Sequence, residues 1–135
     1  MFEKIKGNKT FTKLMKRQNI NLSYAMVEPS DSWYNIISTI HNSLNEMKKL
    51  PHNEVEITSH DNLKLKGIYY PNPKKSSVTV ICLHGYASHP EKEMAFPGLF
   101  YLSQGYNVLI TYQRAHGLSQ GKFMSLGVLE QQDMI

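Results

Sequence analysis

No apolar run in this 135-residue chain is long enough to cross a bilayer, so no membrane-spanning helix is expected. None follows the charged start MFEKIKGNKT as the core of a secretory signal would, so that route of export is not expected either. Cysteine is nearly missing too: Cys82 alone cannot form an internal disulfide, which suits a reducing compartment and a cytoplasmic location. Inside VTVICL, Cys82 reads as a small buried hydrophobe, not a reactive thiol. Internal repeats and low-complexity tracts are also lacking. What remains is ordinary globular composition, 41% hydrophobic and 19% charged, at a length that fits one domain with a modest core.

The net charge of +4 is local. Residues 1–20 carry Lys4, Lys6, Lys9, Lys13, Lys16 and Arg17 against Glu3, whereas the remainder is nearly neutral. Residues 1–30 therefore read as a basic N-terminal arm, a flexible solvated terminus whose first 20 residues also suit contact with an anionic membrane surface. No nucleic-acid partner is expected.

Residues 31–50 form the clearest helix. Trp33, Ile36, Ile37, Ile40, Leu44 and Met47 share one face, Ser30 or Asp31 can cap the start, and Pro51 stops it. EVEITS and LKLKGIYY alternate with period two around Asp61-Asn62, two residues that tolerate the positive φ of a tight hairpin turn. VTVICL is apolar without alternation, as a strand covered on both faces would be. SHPEKEMAFPGLFYLSQG reads as a loop and a helix, with Ser88 and Glu91 spaced as a capping box. Pro97 is expected to start or kink that helix, and Gly105 to stop it. GYNVLITY is a second buried strand, and SLGVLEQQDMI opens another helix. A hairpin followed by strand, helix and strand predicts an α/β sheet with an antiparallel edge, its strands at 78–83 and 106–112 parallel.

Two stretches carry chemistry. GLSQG, Gly117–Gly121, has the G-x-S-x-G spacing of a nucleophilic serine, but that motif requires a strand running directly into the turn. Here Gln113 to Leu118 intervene, and Arg114-Ala115-His116 is not strand-like. VICLHGYASH instead ends a buried strand in His84-Gly85, at the sheet edge where α/β proteins bind ligands. Gly85 permits a sharp turn and close backbone approach, which leaves the Tyr86 amide as a donor for negative charge developing on a carbonyl oxygen.

Together these stretches resemble the α/β-hydrolase family, in particular its serine-aminopeptidase-like and esterase-like branch. SHDNLKLKGIYY is similar to that branch's S-x-D-G-x-x-L hairpin, and VTVICLHGY to its strand ending in HG-aromatic. GYNVLITYQRAHGLSQG is similar to G-Y-x-V-x-x-x-D-x-R-G-H-G-x-S-x-G, and FMSLGVLEQQD to the helix start T-x-G-x-x-E-x-x-D. The resemblance covers residues 50–135 and implies an N-terminal part of an α/β-hydrolase fold, incomplete. It implies that the Tyr86 backbone N–H is one oxyanion-hole donor, with His84 and Gly85 supporting that loop, and that Arg114 and His116 shape the second loop. Ser119 falls outside the nucleophile position, and no histidine follows it to complete the order Ser, acid, His. Two departures stand out: Tyr112 replaces the pattern's aspartate, and Asn62 its glycine.

The expected organisation is the basic arm at 1–30, the helix at 31–50, and a partial hydrolase domain at 51–135 that stops before the nucleophile elbow. Such a chain would be inactive alone, its substrate in full-length form a carboxylic ester, amide or short peptide. The rival reading is a non-catalytic remnant or binding module using the HGY cleft or the basic arm. No cofactor is expected. His60, His84, His89 and His116 lack the spacing of a metal motif, so no metal is expected either.

Overall fold

The computed structural model describes residues 9–18, 30 and 32–134, so most of the expected arm, residues 1–8 and 19–29, and the expected capping residue Asp31 lie outside it. The elements in order are α1 (Lys9–Met15), α2 (Tyr34–Lys49), β1 (Asn53–Thr58), β2 (Lys64–Tyr70), β3 (Thr79–Cys82), α3 (Pro90–Ser103) and β4 (Asn107–Tyr112). A 3-10 turn at Glu130–Met134 closes the series, a tighter coil than the helix expected there.

Helix α2 begins at Tyr34, with Trp33 at its N-cap position and no side-chain cap; Ser30 makes none. Its apolar stripe is buried only over the last two turns. Leu44 and Met47 are 4% and 1% exposed, whereas Trp33 and Ile36 are 64% and 50% exposed. Met47 explains the difference, since its methyl lies 3.1 Å from where a side chain on Gly98 of α3 would begin, so the two helices meet at that end. The helix stops as its sequence requires: Leu50 is extended, at ψ 147°, because the following Pro51 excludes the helical conformation there.

Helix α3 departs from its expected punctuation. The Ser88–Glu91 capping box does not form: His89 is the N-cap without a side-chain bond, and Pro90 takes the first turn, where its missing N–H is harmless. Of the two roles expected of Pro97, starting the helix is excluded: it sits inside, the position of a kink, where the Glu93 carbonyl loses its usual partner. Gly105 does end it. At φ 92°, Gly105 donates to the Leu102 carbonyl while Tyr106 donates to that of Tyr101, the paired bonds of a glycine C-cap.

The strands form one sheet in the order β1-β2-β4-β3. β1 and β2 are an antiparallel hairpin, joined by the loop 59–63 in place of a tight turn; within it only Asn62 takes positive φ, 63°. β2 pairs antiparallel with β4, and β4 parallel with β3 through the α3 crossover. This is the antiparallel edge and parallel pair expected of the α/β class.

Alternation along each strand sorts the two faces. Ile68, Tyr70, Cys82, Val108, Ile110 and Tyr112 point toward α2 and α3 and build the core with Leu44, Met47 and Ala95. Burial of Cys82 raises its thiol pKa, as expected of a core residue. The opposite face corrects the reading of VTVICL as covered on both sides. Ile81 and Leu83 are 48% and 47% exposed there, and the 3-10 turn Glu130–Met134 borders that side. Val55, Ile57, Leu65, Leu83, Leu109 and Met134 line an open apolar hollow of about 330 Å³ on that side. Among the described residues β3 lies at the edge of the sheet, paired with β4.

Candidate active site

The chain leaves β3 through Leu83 into His84-Gly85-Tyr86, a loop anchored at each residue. His84, 5% exposed, directs Nδ1 to the Gly85 carbonyl at 2.9 Å and accepts at Nε2 from the Gln113 amide at 3.2 Å. That pair of bonds assigns the neutral ring with its proton on Nδ1. The Gln113 side chain returns a bond to the His84 carbonyl at 2.6 Å. The Gly85 amide donates to the Glu93 carboxylate of α3 at 2.9 Å, and a side chain at Gly85 would begin 3.3 Å from that carboxylate. The Tyr86 amide donates to no acceptor among the described residues. Ala87 follows at φ 49°, a left-handed position that L residues other than Gly, Asn and Asp seldom occupy.

The loop after β4 faces this one, and GLSQG is its packed hinge. Ser119 is 1% exposed; its hydroxyl donates to the Tyr112 carbonyl and accepts from the Lys66 amide at 2.8 Å. A hydroxyl committed to a donor and an acceptor inside the protein is structural, not a nucleophile. The glycines answer to sterics. A side chain at Gly117 would begin 2.2 Å from the Tyr112 ring, and one at Gly121 2.8 Å from the Ala115 nitrogen. Tyr112, in place of the pattern's aspartate, is 3% exposed and donates its hydroxyl to Glu91, the residue expected to cap α3.

Arg114 is the loop's largest fully buried side chain, 2% exposed. Its guanidinium holds Asp61 of the hairpin turn at 2.9 Å and Asp133 of the 3-10 turn at 2.6 Å. Hydrogen bonds from Arg114, then from Ser59, hold the Asp61 carboxyl down to about 2. Glu130 stitches the final segment: it accepts from the amides of Ser125 at 2.8 Å and Gly127 at 2.9 Å, while Ser125 Oγ accepts from the Leu129 amide at 2.8 Å. His60, Asp61 and Asp133 come within 4.8 Å of one another, but both carboxylates are already bonded to Arg114.

His84 and His116 touch edge to face, ring centres 4.4 Å apart, while His89 lies against Tyr112. Burial is the leading cause that lowers the pKa of both His84 and His116. A base with a depressed folded pKa stabilises the fold fully above its unfolded value, near 6.5, and loses that contribution as pH falls below it. Stability against unfolding is therefore expected to fall as pH is lowered from about 6.5 to about 5.5. Urea midpoints across that range, compared with those of a His84→Gln/His116→Gln variant, test this; equal slopes would contradict it.

Two parts of the site carried no sequence signal. Residues 14–17 are not a solvated tail: Met15 is 6% exposed and its carbonyl accepts from the Met124 amide, and the Arg17 amide donates to the Lys122 carbonyl. Glu93 and Glu91 gave no local sign, since their partners lie 8 and 21 positions away.

No family profile and no curated protein matches the chain. Solved structures do. The esterase Pf2001 of Pyrococcus furiosus is 31% identical, with a TM-score of 0.61 over 90% of this chain and 38% of the esterase. A second crystal form of it gives 35% identity and a TM-score of 0.57, over 83% of this chain and 40% of the other. An α/β hydrolase from Vibrio vulnificus shares the fold at 20% identity and a TM-score of 0.50, over 89% of this chain and 45% of its own. The chain thus spans less than half the length of the structures it matches.

Proposed function

Given that the chain belongs to the α/β-hydrolase family, of whose fold it spans an N-terminal part, we propose that it supplies the oxyanion side of a serine hydrolase. The substrate is a carboxylic ester, amide or short peptide, and residues 1–135 alone are inactive. The observation that carries this reading is the Tyr86 amide, without an acceptor among the described residues, at the end of β3 where the sheet edge opens. Tyr86 N–H donates to the carbonyl oxygen as it gains negative charge, while His84 and Glu93 hold Gly85 and so fix the direction of that N–H. Nucleophile, acid and base come from outside this stretch, because Ser119 is occupied and loss of the nucleophile alone lowers turnover about a millionfold. The single, buried cysteine supports a cytoplasmic location.

The test is a graft of residues 1–135 onto the esterase Pf2001 in place of its matching segment. A cooperatively melting graft is expected to hydrolyse 4-nitrophenyl esters, and Tyr86→Pro, which removes the N–H, to slow it by about 10²–10³. Residues 1–135 alone are expected to take up no fluorophosphonate. A folded graft without esterase activity would overturn the hydrolase reading in favour of a non-catalytic binding module.

A further inference from the structure

The N-terminal segment lies directly against the loop that bears the Tyr86 amide. The Tyr86 ring is 47% exposed, yet its hydroxyl donates to the Leu14 carbonyl at the end of α1. Three residues on, the Arg17 guanidinium donates to two carbonyls of the facing loop, Ser119 at 2.7 Å and Gly117. Between these contacts the backbone pairs with residues 122–124: Met124 donates to Met15 at 2.7 Å and Arg17 to Lys122 at 2.8 Å, around an antiparallel bridge from Lys16 to Phe123. One short stretch therefore grips both loops.

We propose that residues 14–17 are a positioning strap for the oxyanion loop, with the Tyr86 hydroxyl and the Arg17 guanidinium as its two clasps. The inference rests on the reading of the Tyr86 amide as an oxyanion donor and adds the group that holds it in place. The need for a clasp is local. Gly85 is held through its amide by Glu93, but Ala87 carries a left-handed backbone that favours relaxation. The Gly85–Tyr86 peptide is held at its carbonyl by His84, so the freedom that remains lies just beyond it, where relaxation at Ala87 would pull on Tyr86 and tilt its N–H. Tethering the Tyr86 side chain to Leu14 removes that freedom. The tether is firm because Leu14 is itself held, through Met15 and Arg17, on the Gly117–Met124 segment. Arg17 suits this task better than lysine, since its fork reaches two carbonyls at once.

Amide exchange by NMR on the full 135-residue chain tests the strap without substrate or catalysis. Tyr86→Phe, which removes one hydroxyl and keeps the ring, is expected to speed exchange of the Gly85 amide, the bonded one of the 85–88 stretch, about tenfold and to move the Tyr86 amide resonance. Arg17→Ala is expected to speed exchange at Gly85 and at the bonded Ser119 and Gln120 amides, and Arg17→Lys to restore part of that protection. Amides of β2 and β4 should keep wild-type rates in every variant. Unchanged exchange at Gly85, or an equal rise across the sheet, would overturn the strap. An inactive graft combined with selective loosening at Gly85 would sink the hydrolase reading alone and leave the strap standing.

Discussion

Replacing Arg114 with methionine is expected to remove about 3–5 kcal/mol of unfolding free energy. The argument is one of stranded charge. Arg114 is 2% exposed and bonded to two carboxylates, of which Asp133 is 7% exposed and Asp61 38% exposed. Methionine fills much of the volume but leaves Asp133 buried without a counter-charge. Asp61 can turn to water, so the penalty resides mainly at Asp133. The second-step variant Arg114→Met/Asp133→Asn should therefore recover part of the loss. Acid response gives an independent sign. The Asp61 carboxyl is held down to about 2 by Arg114, so its contribution is present above the unfolded value near 3.9 and fades as pH falls through the window below. Without Arg114 that window closes. Urea denaturation at pH 7 reads the main effect, and a loss under about 1 kcal/mol would refute the stranded-charge argument.

Gly117→Ala should follow at about 2–4 kcal/mol, from two sources that can be separated. The first is steric: the new methyl would start 2.2 Å from Cδ1 and 2.5 Å from Cε1 of Tyr112. That ring is 3% exposed and tied through its hydroxyl to Glu91, so it has no easy retreat. The second is the backbone, at φ 46°. In a Tyr112→Ala background the clash vanishes and Gly117→Ala should lose only the backbone contribution, about 1–2 kcal/mol. A double-mutant cycle measures the difference, and strict additivity of the two substitutions would show that the ring is not what glycine avoids there.

The order and type of the main elements were readable because each depends on local chemistry. Pro51 and Gly105 stop helices by rules that involve only their neighbours, and period-two alternation marks β1 and β2. The same is true of the fold class, since strand, crossover helix and strand permit one handedness. Misreadings occurred where a distant residue competed for a local role. Glu91 has capping-box spacing, but Tyr112 offers it a buried hydroxyl, and the box loses. Trp33 and Ile36 continue an apolar stripe that, among the described residues, α3 meets only at the far end. The position of His84, Gly85 and Tyr86 beyond the end of β3 was legible from the strand that delivers them, and the packed setting of Ser119 from the residues before it. Arg17 was not. Its partners are 100 and 102 positions away, and a lone arginine among lysines looks solvated until the fold brings the loop to it.

The uncovered sheet face also has a thermodynamic signature. Val55, Ile57, Ile81 and Leu83 are already hydrated in the native state, at 37–55% exposure, so unfolding adds little new apolar surface from them. Heat capacity change and urea sensitivity both grow with newly exposed surface. The described fold should accordingly unfold with a shallow denaturant slope and a flattened temperature dependence for its length. Whatever covers that face would steepen both, which makes the steepness of the transition a gauge of coverage, separate from its midpoint.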